Sequence, residues 1–527
     1  MILDKHILII TGTSSFSIIS KIIKPIKDYK IDIFKAPISI SAFLTKDIVN
    51  DILQKISISD YDLILLPGFV QWDASKIGEK HKIDIKKGPE FASDLPFILK
   101  NLDNITLSAK LPANKLIEIS GEKEYKMILE EQKKLAEQEI DKNSFFINKK
   151  KADTMISPHL PPPIIAEIVN CTERSEKKIL KKVNHYIESG ADIIDIGCVS
   201  NKAYPEKIPI IVNAIRRNFD VLLSIDSMDK SEIMAAINTD IDMILSFDLG
   251  NYKDFLDIPK TIPIVILPTD IKKAYFPKNP KDRVNNLFKL TKILQDNGFQ
   301  KLIADPLLET PISPGICNSL DAYFLYNKMV NEQDNKKFKL PLFFGISNVV
   351  ELMDIDSVGV NGLLASIAIE LGIGLLFTVE HSVKLMGGIS ELKESIKLNY
   401  LANYRKSPPI NQGITIFKSK GKTRQKMPKI DLENAIKVKL EYKHYTPDKK
   451  GYFRIYVEPY AKKIYLLFYS NENLLLRTLV GTNAEALCKK FINLGLTKNI
   501  EHLNYLGREL ERAQICLELN KPYIQDE

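Results

Sequence analysis

The residues of this chain whose setting implies chemistry are carboxylates placed inside apolar runs. Asp192 and Asp195 interrupt GADIIDIG at 190–197, and Asp226 closes the run that ends in SIDS at 224–227. Asp248 ends SFD at 246–248, and Asp305 sits in ADP at 304–306. A buried carboxylate is costly unless something binds it, and the C-terminal ends of parallel strands are where a (β/α)8 barrel builds its active site. Glu380 and His381 follow a further apolar run and form a candidate catalytic acid–base pair at a strand end. Consecutive strand residues point to opposite faces, so at most one of the two would face a pocket. The structural alternatives are a supporting role for Asp195 beneath the pocket, a turn role for Asp192, and a solvated helix start for His381.

Eight strand-like runs position these residues, beginning near 163, 192, 221, 242, 263, 302, 341 and 374, each followed by a helical pattern or enough chain for one. Eight alternations over about 240 residues are a barrel count, with a doubly wound sheet of eight strands as the alternative. Ahead of them, runs at 6–11, 30–36 and 61–66 alternate with amphipathic stretches at 14–28 and 46–57. That spacing predicts an N-terminal open α/β domain of the Rossmann or flavodoxin kind. Its strand-end turns could hold a nucleotide, but no GxGxxG or GxxxxGK[ST] is present, and tight-turn chemistry explains them equally. A charged helix at 122–143 and prolines at 158–163 follow. After the barrel comes a basic, proline-containing segment and then a hairpin at 452–459 and 463–469, a strand at 474–480, and helices at 484–494 and 502–519. The expected division is 1–120, 121–160, 161–404, 405–430 and 431–527, which gives an α/β fold with a central TIM barrel and a small C-terminal α+β domain.

Composition narrows the class. With 527 residues, 45% of them hydrophobic, the chain can bury several cores, and a net charge of +8 is small for that length. Nucleic acid is not expected as a partner. Five cysteines without CxxC spacing point to neither a disulfide framework nor a zinc site, as in a reduced cytoplasm. The apolar run after Met1 is too short for a signal peptide or a membrane span.

Taken in order, IVNCT (168–172), GADIIDIG with Ser200 after it, SIDS, ADP and GIS (345–347) resemble the pterin-binding barrel of dihydropteroate synthases and folate-dependent methyltransferases. The match covers about 160–400. The resemblance implies a reduced pterin as substrate or ligand, with Asp226 and Asp305 gripping its aminopyrimidinone edge and Asp195, Asp248, Gly345 and Ser347 around it. It places Asn170 where it would reach a diphosphate or its Mg2+. A carboxylate can accept two N–H groups of such an edge at once, which makes the recognition selective.

Departures from the pattern bear on the reaction. Synthases of this family follow the strand-seven GxS with Arg-Lys, whereas Ser347 is followed here by Asn348 and Val349. At strand eight the family's Arg-x-His gives way to Thr378-Val379-Glu380-His381, and Cys198-Val199-Ser200 stands where Glu-Ser follows strand two. A leaving diphosphate needs cations, and that task would fall to Arg174, Lys202, Lys272 or Lys273, each of which also reads as an ordinary surface charge. Methyl transfer requires no diphosphate pocket.

The closing segment 502–527 is similar to part of the A subunit of tetrahydromethanopterin S-methyltransferase, although Leu506, Leu510, Ala513 and Cys516 also make a simple helical core face. No corrinoid ligand is identified, so cobalamin is not predicted. The order of parts resembles archaeal dihydropteroate synthase-related proteins. It implies a transferase of tetrahydromethanopterin or folate metabolism that passes a pterin-linked CH2 group to an arylamine or a one-carbon group to an acceptor. The alternative is a non-catalytic pterin carrier that docks a methyl-transfer partner protein. A homodimer is a further expectation.

Overall fold

The computed structural model describes residues 5–100, 102, 106–116, 121–420, 436, 438 and 447–526. The expected basic linker therefore lies outside the described residues from 421 to 430, as does most of 431–446. The chain divides into two compact units, one comprising Met1–Lys134 with Ile396–Thr415 and the other Leu135–Ser395 with Ile416–Glu527.

The first unit is built on a parallel sheet ordered β2-β1-β3-β4, from β1 (His6–Thr11), β2 (Lys30–Lys35), β3 (Leu63–Leu66) and β4 (Ile85–Lys87). Alternate residues of β1 serve opposite cores: Leu8 and Ile10 pack with Val49 and Leu53, while Ile7 and Ile9 pack with Leu95 and Ile98. Burial on both faces is what makes parallel strands read as continuous apolar runs. β4 is only three residues long and shows no such run.

In the second unit, a two-stranded pair, β5 (Phe145–Phe146) and β6 (Met155–Ile156), precedes the barrel. The barrel strands are β7 (Ile164–Ile168), β8 (Ile193–Gly197), β9 (Leu222–Asp226), β10 (Met243–Phe247), β11 (Ile264–Ile266), β12 (Leu302–Ala304), β13 (Leu342–Gly345) and β14 (Ile373–Val379). They are parallel, and β14 pairs with β7 to close the ring, which excludes the doubly wound alternative. Ile165, Ile193, Leu222, Met243, Val265, Ile303, Phe343 and Leu375 share one core with Phe145, Ile147 and Ile156. Each barrel strand thus gives an apolar residue to one layer, and the β5–β6 segment supplies its floor. Beside that floor the buried Asp242 accepts from Asn148 at 2.7 Å, from Leu223 N at 2.8 Å and from Lys151 at 2.9 Å, and it also pairs with Arg216.

The C-terminal domain is an antiparallel meander of β15 (Tyr452–Glu458), β16 (Lys463–Tyr469) and β17 (Leu475–Gly481). Phe453, Ile455, Ile464, Leu466 and Phe468 pack on helices Ala484–Asn493 and Ile500–Leu519 through Leu487, Phe491, Leu506, Leu510 and Ala513. Its β15–β16 turn meets the barrel helix Glu176–Glu188: the Tyr460 ring lies 4.9 Å from that of His185, and Glu458 is 3.8 Å from Lys181. Among the described residues, no helix is long and apolar enough to cross a membrane.

Candidate active site

Two residues beyond the apolar layer, the same strand faces turn polar. Strand side chains alternate between faces, so the inward Ile165, Ile193 and Leu222 bring Glu167, Asp195 and Ser224 inward as the next layer, in register with one another. Asp226 follows beside Gly197, and Asp305 follows the inward Ile303. Four carboxylates from four strands thereby line one end of the barrel, the end at which barrel enzymes carry out chemistry.

Their surroundings differ. Asp195 is 0% exposed, and its Oδ1 accepts from the Ser224 hydroxyl at 2.6 Å, while Oδ2 has no partner among the described residues. Burial, then Asp226 and Glu167, push its carboxyl well above the usual range. Burial pushes Asp226 up to about 6, and among the described residues its carboxylate makes no hydrogen bond or ion pair. Asp305 accepts from Leu307 N at 2.8 Å and from the Tyr323 hydroxyl at 3.0 Å, and burial lifts it to about 7 against the pull of these bonds and of Arg283.

Glu167 carries no signal of function in the sequence, yet it belongs to this group. Burial, followed by the charges of Asp226 and Glu351, raises its carboxyl to about 7. Its place depends on the neighbouring strand: a Cβ at Gly197 would stand 2.2 Å from Glu167 Oε1. A side chain at this position of β8 would push the Glu167 carboxyl group out of its present place. Lys182 likewise stands out only in the structure. Its ammonium donates to the Glu380 carbonyl at 3.0 Å, and burial lowers it to about 8.

The remaining candidates are placed as follows. Asp248 is buried and takes Gly250 N (2.8 Å), Asn251 N (2.9 Å), the Thr269 hydroxyl (2.9 Å) and Ile271 N (2.6 Å), so it ties the loops after β10 and β11 together. Gly345 ends β13, and Ser347 opens the short helix Ser347–Val350 in a buried position. Asn348 spends its amide on the Leu308 carbonyl at 2.9 Å. Asn170 is exposed with φ at 51°, and Arg174 Nε donates to the Val169 carbonyl at 2.7 Å. Glu380 is 0% exposed and turns outward to His185 Nε2 (2.9 Å) and Ile389 N (3.0 Å), while His381 is exposed. Asp192 binds Ile164 N and Lys393, both at 2.9 Å, beside the start of β8. Lys202 lies over the Tyr204 ring, Lys272 pairs with Asp254 and Lys273 with Asp270.

Among the described residues, no three His, Cys, Asp or Glu side chains converge on a metal position. The carboxylates at this end of the barrel fit a planar ring edge rich in N–H groups. The open Asp226 supplies such an acceptor, and Asp195 lies buried beneath it.

Comparison with known proteins adds family relationships. Residues 169–359 match the family described as pterin binding enzyme, and 447–526 match PterinBD-DUF4346. The chain is 34% identical to uncharacterized protein MJ0107 of Methanocaldococcus jannaschii over 531 residues, covering 99% of this chain and 98% of that one. A Ycf91-like protein of a Nostoc species is 28% identical over 118 residues, 18% of this chain and 93% of that protein. Among solved structures, a dihydropteroate synthase of Yersinia pestis with a pterine-sulfa conjugate gives a TM-score of 0.36 at 19% identity, covering 46% of this chain and 95% of that one. The enzyme of Xanthomonas albilineans with indole-2-carboxylic acid and 6-chloroguanine gives 0.38 at 16%, covering 48% and 96%. The C-terminal match is to PterinBD-DUF4346 and leaves the expected likeness to a methyltransferase A subunit without support.

Proposed function

Because the chain belongs to the pterin-binding enzyme family, we propose that it binds a reduced pterin at the C-terminal mouth of the barrel and transfers a one-carbon group from it. The observation that carries this reading is the set Glu167, Asp195, Asp226 and Asp305. Asp226 and Asp305 accept the amine and ring N–H groups of the aminopyrimidinone edge. Asp195, held by Ser224, backs Asp226 from below.

Glu167 favours one of the two reactions. A carboxyl raised to about 7 is half protonated at neutral pH, which suits a general acid. In methyl transfer the N5–CH3 bond breaks as an acceptor thiolate forms its S–CH3 bond, and the electron pair left on N5 takes the proton that Glu167 donates. Diphosphate displacement suits this mouth less well. Its carboxylates repel a polyanion, and the Arg-Lys and Arg-x-His of the resembling synthases are replaced here by Asn348-Val349 and Glu380-His381. Tetrahydromethanopterin is the substrate expected from the resemblance to archaeal relatives.

The test is turnover with two substrate pairs. Methyl-tetrahydropterin plus a thiol should give demethylated pterin and thioether, while pterin diphosphate plus 4-aminobenzoate should give no product. Product from the second pair alone would reverse the assignment. Tight pterin binding with turnover of neither pair would make the protein a carrier.

A further inference from the structure

The Asp305 carboxylate, just past the end of β12, is reached from helix Ile316–Val330 by Tyr323, a fully buried side chain. The Tyr323 ring meets that of Phe344 edge-on, with centroids 5.1 Å apart. This packing fixes the ring and leaves the hydroxyl free to turn about its C–O bond. The hydroxyl lies 3.0 Å from Asp305 Oδ1 and 2.9 Å from the Phe343 carbonyl oxygen. A phenol carries one proton, and two acceptors stand within its reach, so it serves one of them at a time. Burial, then Asp305, push the Tyr323 hydroxyl well above the usual phenol range, so the proton stays on this oxygen.

The charge of Asp305 selects the acceptor. A hydrogen bond to an ionised carboxylate is roughly twice as strong as one between neutral groups, so the charged Asp305 takes the Tyr323 proton. Once Asp305 is neutral that advantage is gone, and the Phe343 carbonyl takes the bond. Leu307 N donates to the same Oδ1 at 2.8 Å, so both protein donors sit on one oxygen. Among the described residues Oδ2 makes no hydrogen bond and is left for a ligand. The other charge that acts on Asp305 is Arg283 of helix Pro280–Asp296, which pairs with Glu309 and donates to the carbonyls of Pro277 and Leu307 at 2.8 and 2.9 Å. Those partners are fixed, so Arg283 acts at a constant level, whereas Tyr323 has two positions.

We infer that Tyr323 is a positioning residue for the ring-binding carboxylate: its hydroxyl turns from the Phe343 carbonyl to Asp305 as Asp305 ionises, and so holds Asp305 in the charged form with Oδ2 open to the ring. The role rests on the pterin reading of the barrel mouth. The switch itself belongs to the ligand-free protein and is tested there as well.

Carboxyl NMR of the ligand-free full chain follows Asp305, and calorimetric titration with methyl-tetrahydropterin follows binding across pH. Tyr323→Phe keeps the ring against Phe344 and removes only the hydroxyl. Asp305 should then hold its proton to higher pH, and the rise in pterin affinity, expected through about 7, should move up with it. The loss of affinity should be about tenfold at neutral pH and shrink as the pH is raised, whereas a structural defect would weaken binding equally at every pH. In the Asp305→Asn background, Tyr323→Phe should add no pH dependence. The unsubstituted protein tests the same point without a variant: the NMR signal of the Tyr323 ring carbon that bears the hydroxyl should shift in step with the Asp305 titration. An Asp305 titration unmoved by Tyr323→Phe, an affinity loss independent of pH, or a Tyr323 signal indifferent to Asp305 overturns the inference. Unchanged pterin affinity in Asp305→Asn overturns the ring-binding role itself, a failure that the ligand-free NMR separates from failure of the switch.

Discussion

At the scale of single residues, Glu167 has the most to explain. Its carboxyl stands at about 7 in the folded protein against a usual 4.5. Because the folded state holds the proton more tightly than the unfolded chain, this group penalises folding increasingly as pH rises from about 4.5 to 7, and fully above that. Glu167→Gln should therefore stabilise the ligand-free protein by about 1–3 kcal/mol at pH 8 and by almost nothing at pH 4, read from denaturant midpoints. The same substitution removes the proton donor, so kcat for methyl transfer should fall at least about a hundredfold. In the unsubstituted protein kcat should decline as pH rises through about 7. Asp305 works in the other sense: only its carboxylate form accepts two ring N–H groups, so pterin affinity should rise with pH through about 7. Asp305→Asn should flatten that rise and weaken binding by about 1.5–3 kcal/mol, and unchanged affinity would remove Asp305 from the site. The aspartates were legible in the sequence because each breaks an apolar run. Glu167 was not, since a lone charge in PIIAEIVN reads equally well as facing solvent. Its inward direction follows only from the barrel register that sets Ile165 against the floor.

At the scale of elements, the eight barrel strands were legible because each is an apolar run closed by a turn. The sequence did not reveal β4 or the β5–β6 pair, since elements of two or three residues are too short to show a period. That pair matters because it closes the barrel floor, and Asp242 helps to fix the segment that carries it. Removing this carboxylate leaves Arg216 and Lys151 short of a buried counter-charge, so Asp242→Ala should cost about 3–5 kcal/mol, measured by urea unfolding, without altering pterin affinity per folded molecule. Glu380 shows the limit of reading chemistry from a strand end. Its position after β14 suggested an acid at the mouth, but it turns to the helix layer and joins His185 and Ile389 instead. A residue's place along a strand is visible in sequence, whereas the face on which it leaves the strand is not. Glu380→Gln should therefore lower stability and leave the pH profile of kcat in place.

At the scale of the whole molecule, the chain divides into two units with separate cores, so its unfolding need not be a single step. Calorimetry should resolve two transitions. A reduced pterin at about a hundred times its Kd should stabilise the barrel-containing unit by about 2.7 kcal/mol and leave the other transition in place. A shift of both together would show that the units unfold as one. This division was partly visible in the sequence as a change from βαβ spacing to the barrel count. The return of the chain to the first unit at Ile396–Thr415 was not, because nothing local marks it.

The contact between Gly197 and Glu167 joins two positions that lie 30 apart in the numbering and belong to different strands. The absence of a side chain on one strand sets where the carboxyl group of the next strand rests. A larger residue at position 197 would therefore act at a distance along the chain, by moving the Glu167 carboxyl group from its place beside Asp226. Gly197→Ala should show this as a change in the pH at which Glu167 titrates, followed by carboxyl NMR, with the barrel still folded.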